Sequence, residues 1–186
     1  PNHFSTARDL STLSSRLILD FPDHYDLYKE KWFTYNEIKQ RNRNSLLWQD
    51  DTIDGIKTGH TDSAGYCLVS SAEREETRLI AVTLKSDNER TRITDNRRLL
   101  DFGFRYFQTR KILSSLQIVV EESVWGGELE KVSLASDQDI YLTQNPRDFD
   151  RVNILTKLDD YIQAPIYKGD KVGDIILELD GEELYK

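Results

Sequence analysis

The sequence predicts an α+β region followed by a small all-β sandwich. Three observations carry that reading. Helical apolar periodicity is confined to the first 108 residues, where it alternates with strand-like runs. From Leu116 onward the helical period is gone, and short β-type runs recur between turn signals. At 186 residues the chain has room for one large domain or two small ones. The boundary falls near Thr109, giving regions 1–108 and 109–186.

The first helix is expected over residues 5–20. Leu10, Leu13 and Leu17 recur at helical spacing with Ile18 beside them, Thr6 and Asp9 form a cap signal, and Pro22 closes it. Phe33-Thr34-Tyr35, Asn36-Glu37 and Ile38 read as a hairpin. Residues 40–51 are polar and are expected to be an extended connection. Strands follow at 52–59, 66–71 and 78–84, the last two as an antiparallel hairpin. Ser86 with Glu89 fits a capping box that opens a helix carrying Ile93, Leu100, Phe104 and Phe107 on one face. Gly103 is a local cost inside it. In the second region the β runs are 117–121, 131–134, 139–143, 152–158 and 174–179. They are separated by Gly126-Gly127, Asn145-Pro146, Lys168-Gly169-Asp170 and Asp180-Gly181.

Composition narrows the function. Hydrophobic residues make up 38% and charged residues 31%, a globular balance, and no apolar run is long enough for a spanning helix. A net charge of −8 argues against a nucleic-acid partner. One cysteine, Cys67, excludes an internal disulfide and cysteine-ligated zinc; in its apolar run it reads as a small buried hydrophobe. The chain has no methionine and opens on Pro1-Asn2-His3. It is expected to be a processed or incomplete polypeptide, or one whose modified methionines are not written in the sequence. No signal peptide is visible, and with such a start that says nothing about export.

The local signal with most chemistry in it is Ile53-Asp54-Gly55-Ile56-Lys57-Thr58-Gly59-His60-Thr61. Lys-Thr-Gly alone is a weak motif. Here it closes a predicted strand and more sheet follows. Gly59 leaves the sheet edge without a Cβ, so a substrate backbone can lie against it. Lys57 places a positive charge there, able to lower a nearby proton affinity or hold an anion. Thr58 adds a hydroxyl that donates or accepts.

Around this segment stand Tyr28-Lys29-Glu30-Lys31, Phe33-Thr34, Asn42-Arg43-Asn44-Ser45-Leu46-Leu47-Trp48 and Ala64-Gly65-Tyr66. Further on come Leu99-Leu100, Gly103-Phe104-Arg105, Ser123-Val124-Trp125 and Asp139-Ile140-Tyr141-Leu142-Thr143. In that order they resemble the low-molecular-mass penicillin-binding proteins of the D-alanyl-D-alanine carboxypeptidase type, over nearly the whole chain. The resemblance implies part of a penicillin-binding, β-lactamase-like transpeptidase domain followed by a β-rich domain. It implies an acyl-enzyme mechanism: a serine attacks the D-Ala-D-Ala bond of a peptidoglycan pentapeptide, D-Ala leaves, and water releases the stem peptide. β-Lactams are then covalent inhibitors, and no metal or organic cofactor is implied.

The family has three motifs, Ser-x-x-Lys, Ser-x-Asn and Lys-Thr-Gly. No serine in this chain has a lysine three residues on. Ser86-Asp87-Asn88 matches the second motif in letters but follows Lys-Thr-Gly and coincides with a helix start, so it is read as a cap. The nucleophile, its lysine and the second motif are expected on polypeptide preceding Pro1, a piece of the same protein. Lys57, Thr58 and Gly59 are carried over as the third motif. Arg92 aligns with the family arginine for the substrate's terminal carboxylate, which a guanidinium suits by offering parallel donors, with Arg90 as rival. Arg43 and His60 are further substrate-side candidates. His3 and His24 are read as surface residues. A periplasmic location, peripheral on the inner membrane through an amphipathic anchor beyond Lys186, is expected. The alternatives are a non-catalytic fragment or interaction module, and a β-lactamase relative, which the β-rich second region argues against.

Overall fold

A computed structural model describes residues 4–185. Helix α1 (Ala7–Asp20) starts at a capping box. The Thr6 hydroxyl accepts from the Asp9 N–H and the Asp9 carboxylate accepts from the Thr6 N–H, both at 3.1 Å. Leu10, Leu17 and Ile18 pack toward Tyr25, Ile56 and Val69. Leu13, expected on that face, is 65% exposed. The buried arc centres on Ser14, whose hydroxyl donates to the Leu10 carbonyl at 2.7 Å, and Leu13 lies about 100° around the helix from it. Pro22 ends α1 and opens the short helix α2 (Pro22–Tyr25), which turns Tyr25 inward.

Strands β1 (Trp32–Tyr35) and β2 (Ile38–Arg41) form the expected hairpin. Asn36 and Glu37 both have positive φ, the two-residue turn whose twist matches the strands. Residues 40–51 are not an extended connection. Gln40 and Arg41 complete β2, and a 3-10 turn at Ser45–Trp48 buries Leu46 and Leu47 fully. One turn of helix is too short to show a period, so its apolar pair reads as nothing in particular. Asn44 fixes it: its side-chain oxygen accepts from the Leu46 N–H and its Nδ2 donates to the Gly55 carbonyl at 2.9 Å.

The central sheet is antiparallel, in the order β3 (Ile53–Thr61), β4 (Gly65–Arg74), β5 (Thr77–Ser86). Helix α3 (Glu89–Tyr106) covers one face, with Ile93, Leu100 and Phe104 on Leu46, Leu47, Leu68, Ala72 and Ala81. The expected Ser86–Glu89 box is not formed. Ser86 is still in β5, paired with Tyr66, and Asn88 caps the helix, accepting from the Thr91 N–H at 2.9 Å. Phe107 lies beyond α3 and is exposed, so it does not extend the apolar face. Gly103 is more than a local cost. A Cβ there would stand 2.5 Å from Leu79 Cδ1, so the glycine lets the helix close onto β5.

A second compact unit begins at Phe107. It comprises β6 (Gln108–Leu113), β7 (Ile118–Trp125), β8 (Lys131–Ala135), β9 (Ile140–Gln144), β10 (Val152–Leu158), β11 (Ile162–Gln163), β12 (Gly173–Leu179) and β13 (Glu182–Tyr185). They make three small sheets, β6-β9, β11-β7-β8 and β10-β12-β13, around Leu113, Ile140, Leu142 and Leu177. Strands β6, β11 and β13 are additions to the sequence reading. The first opens with four polar residues, the second is two residues long, and the third returns through the Asp180-Gly181 turn.

Candidate active site

Lys57, Thr58, Gly59 and His60 sit on the second half of β3, an edge strand with no strand on its outer side among the described residues. Thr58 pairs with Leu68 and His60 with Tyr66, so both project to the face covered by α3. Lys57 and Gly59, out of step by one, take the opposite face. Thr58 is buried; Lys57, Gly59 and His60 are exposed. Lys57 Nζ donates to the Thr58 carbonyl at 2.6 Å, and the His60 ring lies 4.0 Å from that of Tyr66. Gly59 has an ordinary φ, and a Cβ there would meet only the Cβ of Cys67, at 3.8 Å. Its own fold therefore has room for a side chain at this point. Gly55 is the contrast: a Cβ would be 2.7 Å from the Tyr25 hydroxyl.

Arg92 reaches this strand from α3. It is 4% exposed; Nη1 donates to the Gly59 carbonyl at 3.4 Å, and Nη2 pairs with Glu89 at 2.9 Å. The guanidinium lies 5.4 Å from the Tyr66 ring centre, and its Nε is buried without a partner among the described residues. Arg90 is exposed and borders an open cleft with Ser45, Gln49 and Thr94. Arg43 is exposed, with no ion pair among the described residues; its neighbour Asn44 holds the Gly55 carbonyl. Cys67 is half-buried, not fully buried as expected, because it faces the bare Gly59; its Sγ is 3.4 Å from the Ala64 carbonyl. His24 is exposed, and His3 lies outside the described residues. Among the described residues no group of three His, Cys, Asp or Glu could hold a metal, and no helix is long and apolar enough to cross a membrane.

Known proteins resemble this chain over nearly its whole length. The family model described as D-alanyl-D-alanine carboxypeptidase matches residues 1–88, and that of the penicillin-binding protein 5 C-terminal domain matches 107–186. D-alanyl-D-alanine carboxypeptidase DacA of Escherichia coli K12 is 40% identical over 97% of this chain. The chain belongs to the D-alanyl-D-alanine carboxypeptidase family. DacA of Haemophilus influenzae is 39% identical over 99% of the chain. The solved penicillin-binding protein 5 of that organism superposes with a TM-score of 0.86 at 38% identity, covering all of this chain and 55% of the other. The chain spans about half the length of these curated carboxypeptidases, 45% of the E. coli relative and 48% of the other.

Two polar clusters that brace the carboxypeptidase-family strand escape the sequence reading. On one side the Tyr25 hydroxyl donates to Asp54 at 2.7 Å, and Arg78 bridges Asp54 at 2.6 Å, Ser71 at 2.8 Å and Glu73. Burial, then the hydrogen bond to Asp54, pushes the Tyr25 hydroxyl far above the ordinary tyrosine range. For Arg78 burial works against the charge, but the Asp54 carboxylate outweighs it and the net shift is upward. On the other side Asn96, on the sheet-facing side of α3, is wholly buried. Its amide donates to the carbonyls of Leu68 and Ala81 at 3.2 and 3.1 Å, and its oxygen accepts from Ser70. Asn96 is one helical turn from Arg92, so the same bolt that fixes α3 sets where the guanidinium stands. Asp-Gly before the motif and a lone Asn among charges gave no sign of either.

Proposed function

We propose that this chain supplies the substrate side of a serine-type D-alanyl-D-alanine carboxypeptidase. The observation that carries the reading is the open β3 edge bearing Lys57-Thr58-Gly59, with the buried Arg92 guanidinium at the Gly59 carbonyl. A stem pentapeptide laid along that edge adds a strand to the sheet, its backbone close to Gly59. Its terminal carboxylate is held by Arg92, with Thr58 and His60 on the same face. A serine on polypeptide outside these 186 residues attacks the D-Ala-D-Ala carbonyl. The C–N bond breaks, D-Ala leaves with the proton, and water later hydrolyses the ester. Lys57 contributes positive charge where the negative charge develops.

β-Lactams acylate the same serine, and the intact protein acts on peptidoglycan in the periplasm, peripheral on the inner membrane. The exposed Leu13, Leu19, Phe33 and Ile38 support a covering segment of the same protein over the first unit. The second reading, a non-catalytic module, is favoured only by the lack of Ser-x-x-Lys in this sequence.

Fluorescent penicillin tests the reading. The intact protein takes the label covalently and the 186-residue chain alone does not. Label on this chain, or none on the folded intact protein, contradicts it. Gly59→Ala sharpens the test, because its fold has room for the methyl group. Stability by thermal melting is expected to change by less than about 0.5 kcal/mol. Acylation is expected to fall at least about tenfold, since the methyl group occupies the space of the ligand backbone.

A further inference from the structure

The Arg92 guanidinium is already occupied. It is almost fully buried, and its one ionic partner among the described residues is Glu89, three residues back on the first turn of α3. The two ends of that pair are unlike. The arginine side chain is 5% exposed and the glutamate 63%. Around the guanidinium the other interactions are weak: a 3.4 Å contact to the Gly59 carbonyl and the face of Tyr66, while the buried Nε has no acceptor among the described residues. A buried charge needs a counter-charge, and removing its partner leaves it poorly compensated. Glu89 supplies the counter-charge from a position it can leave without loss of solvation. Its residue is exposed, and a carboxylate at a helix N-terminus stays favoured there when it turns outward.

We propose that Glu89 is a placeholder carboxylate, paired with Arg92 in the unliganded protein and displaced from it by the carboxylate of an incoming peptide. The inference rests on the carboxypeptidase reading and deepens it, assigning to Glu89 control over how tightly that site holds a carboxylate-terminated ligand. Exchange of one carboxylate for another conserves the charge around Arg92, so binding gains only the difference between the two. The unsatisfied Nε gives the ligand one donor that Glu89 leaves unused. Neutralising Glu89 removes the competitor and leaves Arg92 more receptive.

The test is Glu89→Gln in the intact protein, with steady-state release of D-Ala from a peptide ending in D-Ala-D-Ala. KM is expected to fall about fivefold, by more than any change in kcat, because a neutral amide competes less well than a carboxylate. Glu89→Ala is expected to lower KM at least as far. An intact wild-type protein that releases no D-Ala would defeat the carboxypeptidase reading itself. Active wild type with an unchanged or raised KM in both variants would overturn only the placeholder role, and would mean that Glu89 holds Arg92 in position.

Discussion

In the intact, serine-bearing protein, Lys57→Ala is expected to slow acylation by penicillin roughly 100- to 1,000-fold, the range for losing one preorganised charge at an acyl-transfer site. The side chain is exposed and its one hydrogen bond among the described residues is to the Thr58 carbonyl, so little of the fold depends on it. Thermal stability should shift by no more than about 0.5 kcal/mol, as for surface substitutions away from special features. That separation makes the prediction sharp, because the activity goes while the melting curve stays. Lys57→Arg keeps the charge but replaces a compact ammonium with a planar fork, and should recover part of the rate. An alanine variant acylated as fast as wild type would remove Lys57 from the site.

The largest expected effect on stability is at Arg78. Its guanidinium joins Asp54, Ser71 and Glu73 and faces the Tyr25 ring at 5.6 Å, while about a quarter of its side chain remains exposed. Arg78→Ala leaves the Asp54 carboxylate half-buried with the Tyr25 hydroxyl as its remaining donor among the described residues. Breaking a fully buried pair costs more; with this exposure the loss is expected to be about 2 to 3 kcal/mol, read from denaturant midpoints. Tyr25→Phe should cost about 1 kcal/mol, one hydrogen bond to a charge. A loss at Arg78 no larger than that at Tyr25 would mean that the cluster does not brace β3.

The fold was legible where its signals are local in sequence. The α1 cap is a local reciprocal pair, Thr6 and Asp9, and needed no tertiary information. Strands β4 and β5 and several strands of the second unit announce themselves by β-type residues between turns. What was hidden depends on contacts distant in sequence. Leu46 and Leu47 look like part of a polar stretch until the 3-10 turn tucks them under α3. Ser86 looks like a cap until pairing with Tyr66 keeps it in the sheet and passes that role to Asn88. The same division runs through the site. Lys57, Thr58 and Gly59 are contiguous and carry a motif. Asn96 and Arg78 act through carbonyls and carboxylates brought together by the sheet, and Glu89 gains meaning only beside a buried Arg92.

The most direct measurement is release of the C-terminal residue from a synthetic pentapeptide by the intact protein, read as D-Ala from the free peptide and as D-alaninamide from the same peptide bearing a C-terminal carboxamide. The carboxylate-holding role of Arg92 predicts release from the free carboxylate, little from the amide, and loss of this preference in Arg92→Ala. No release from a folded, intact protein, or equal release from both peptides, would contradict it.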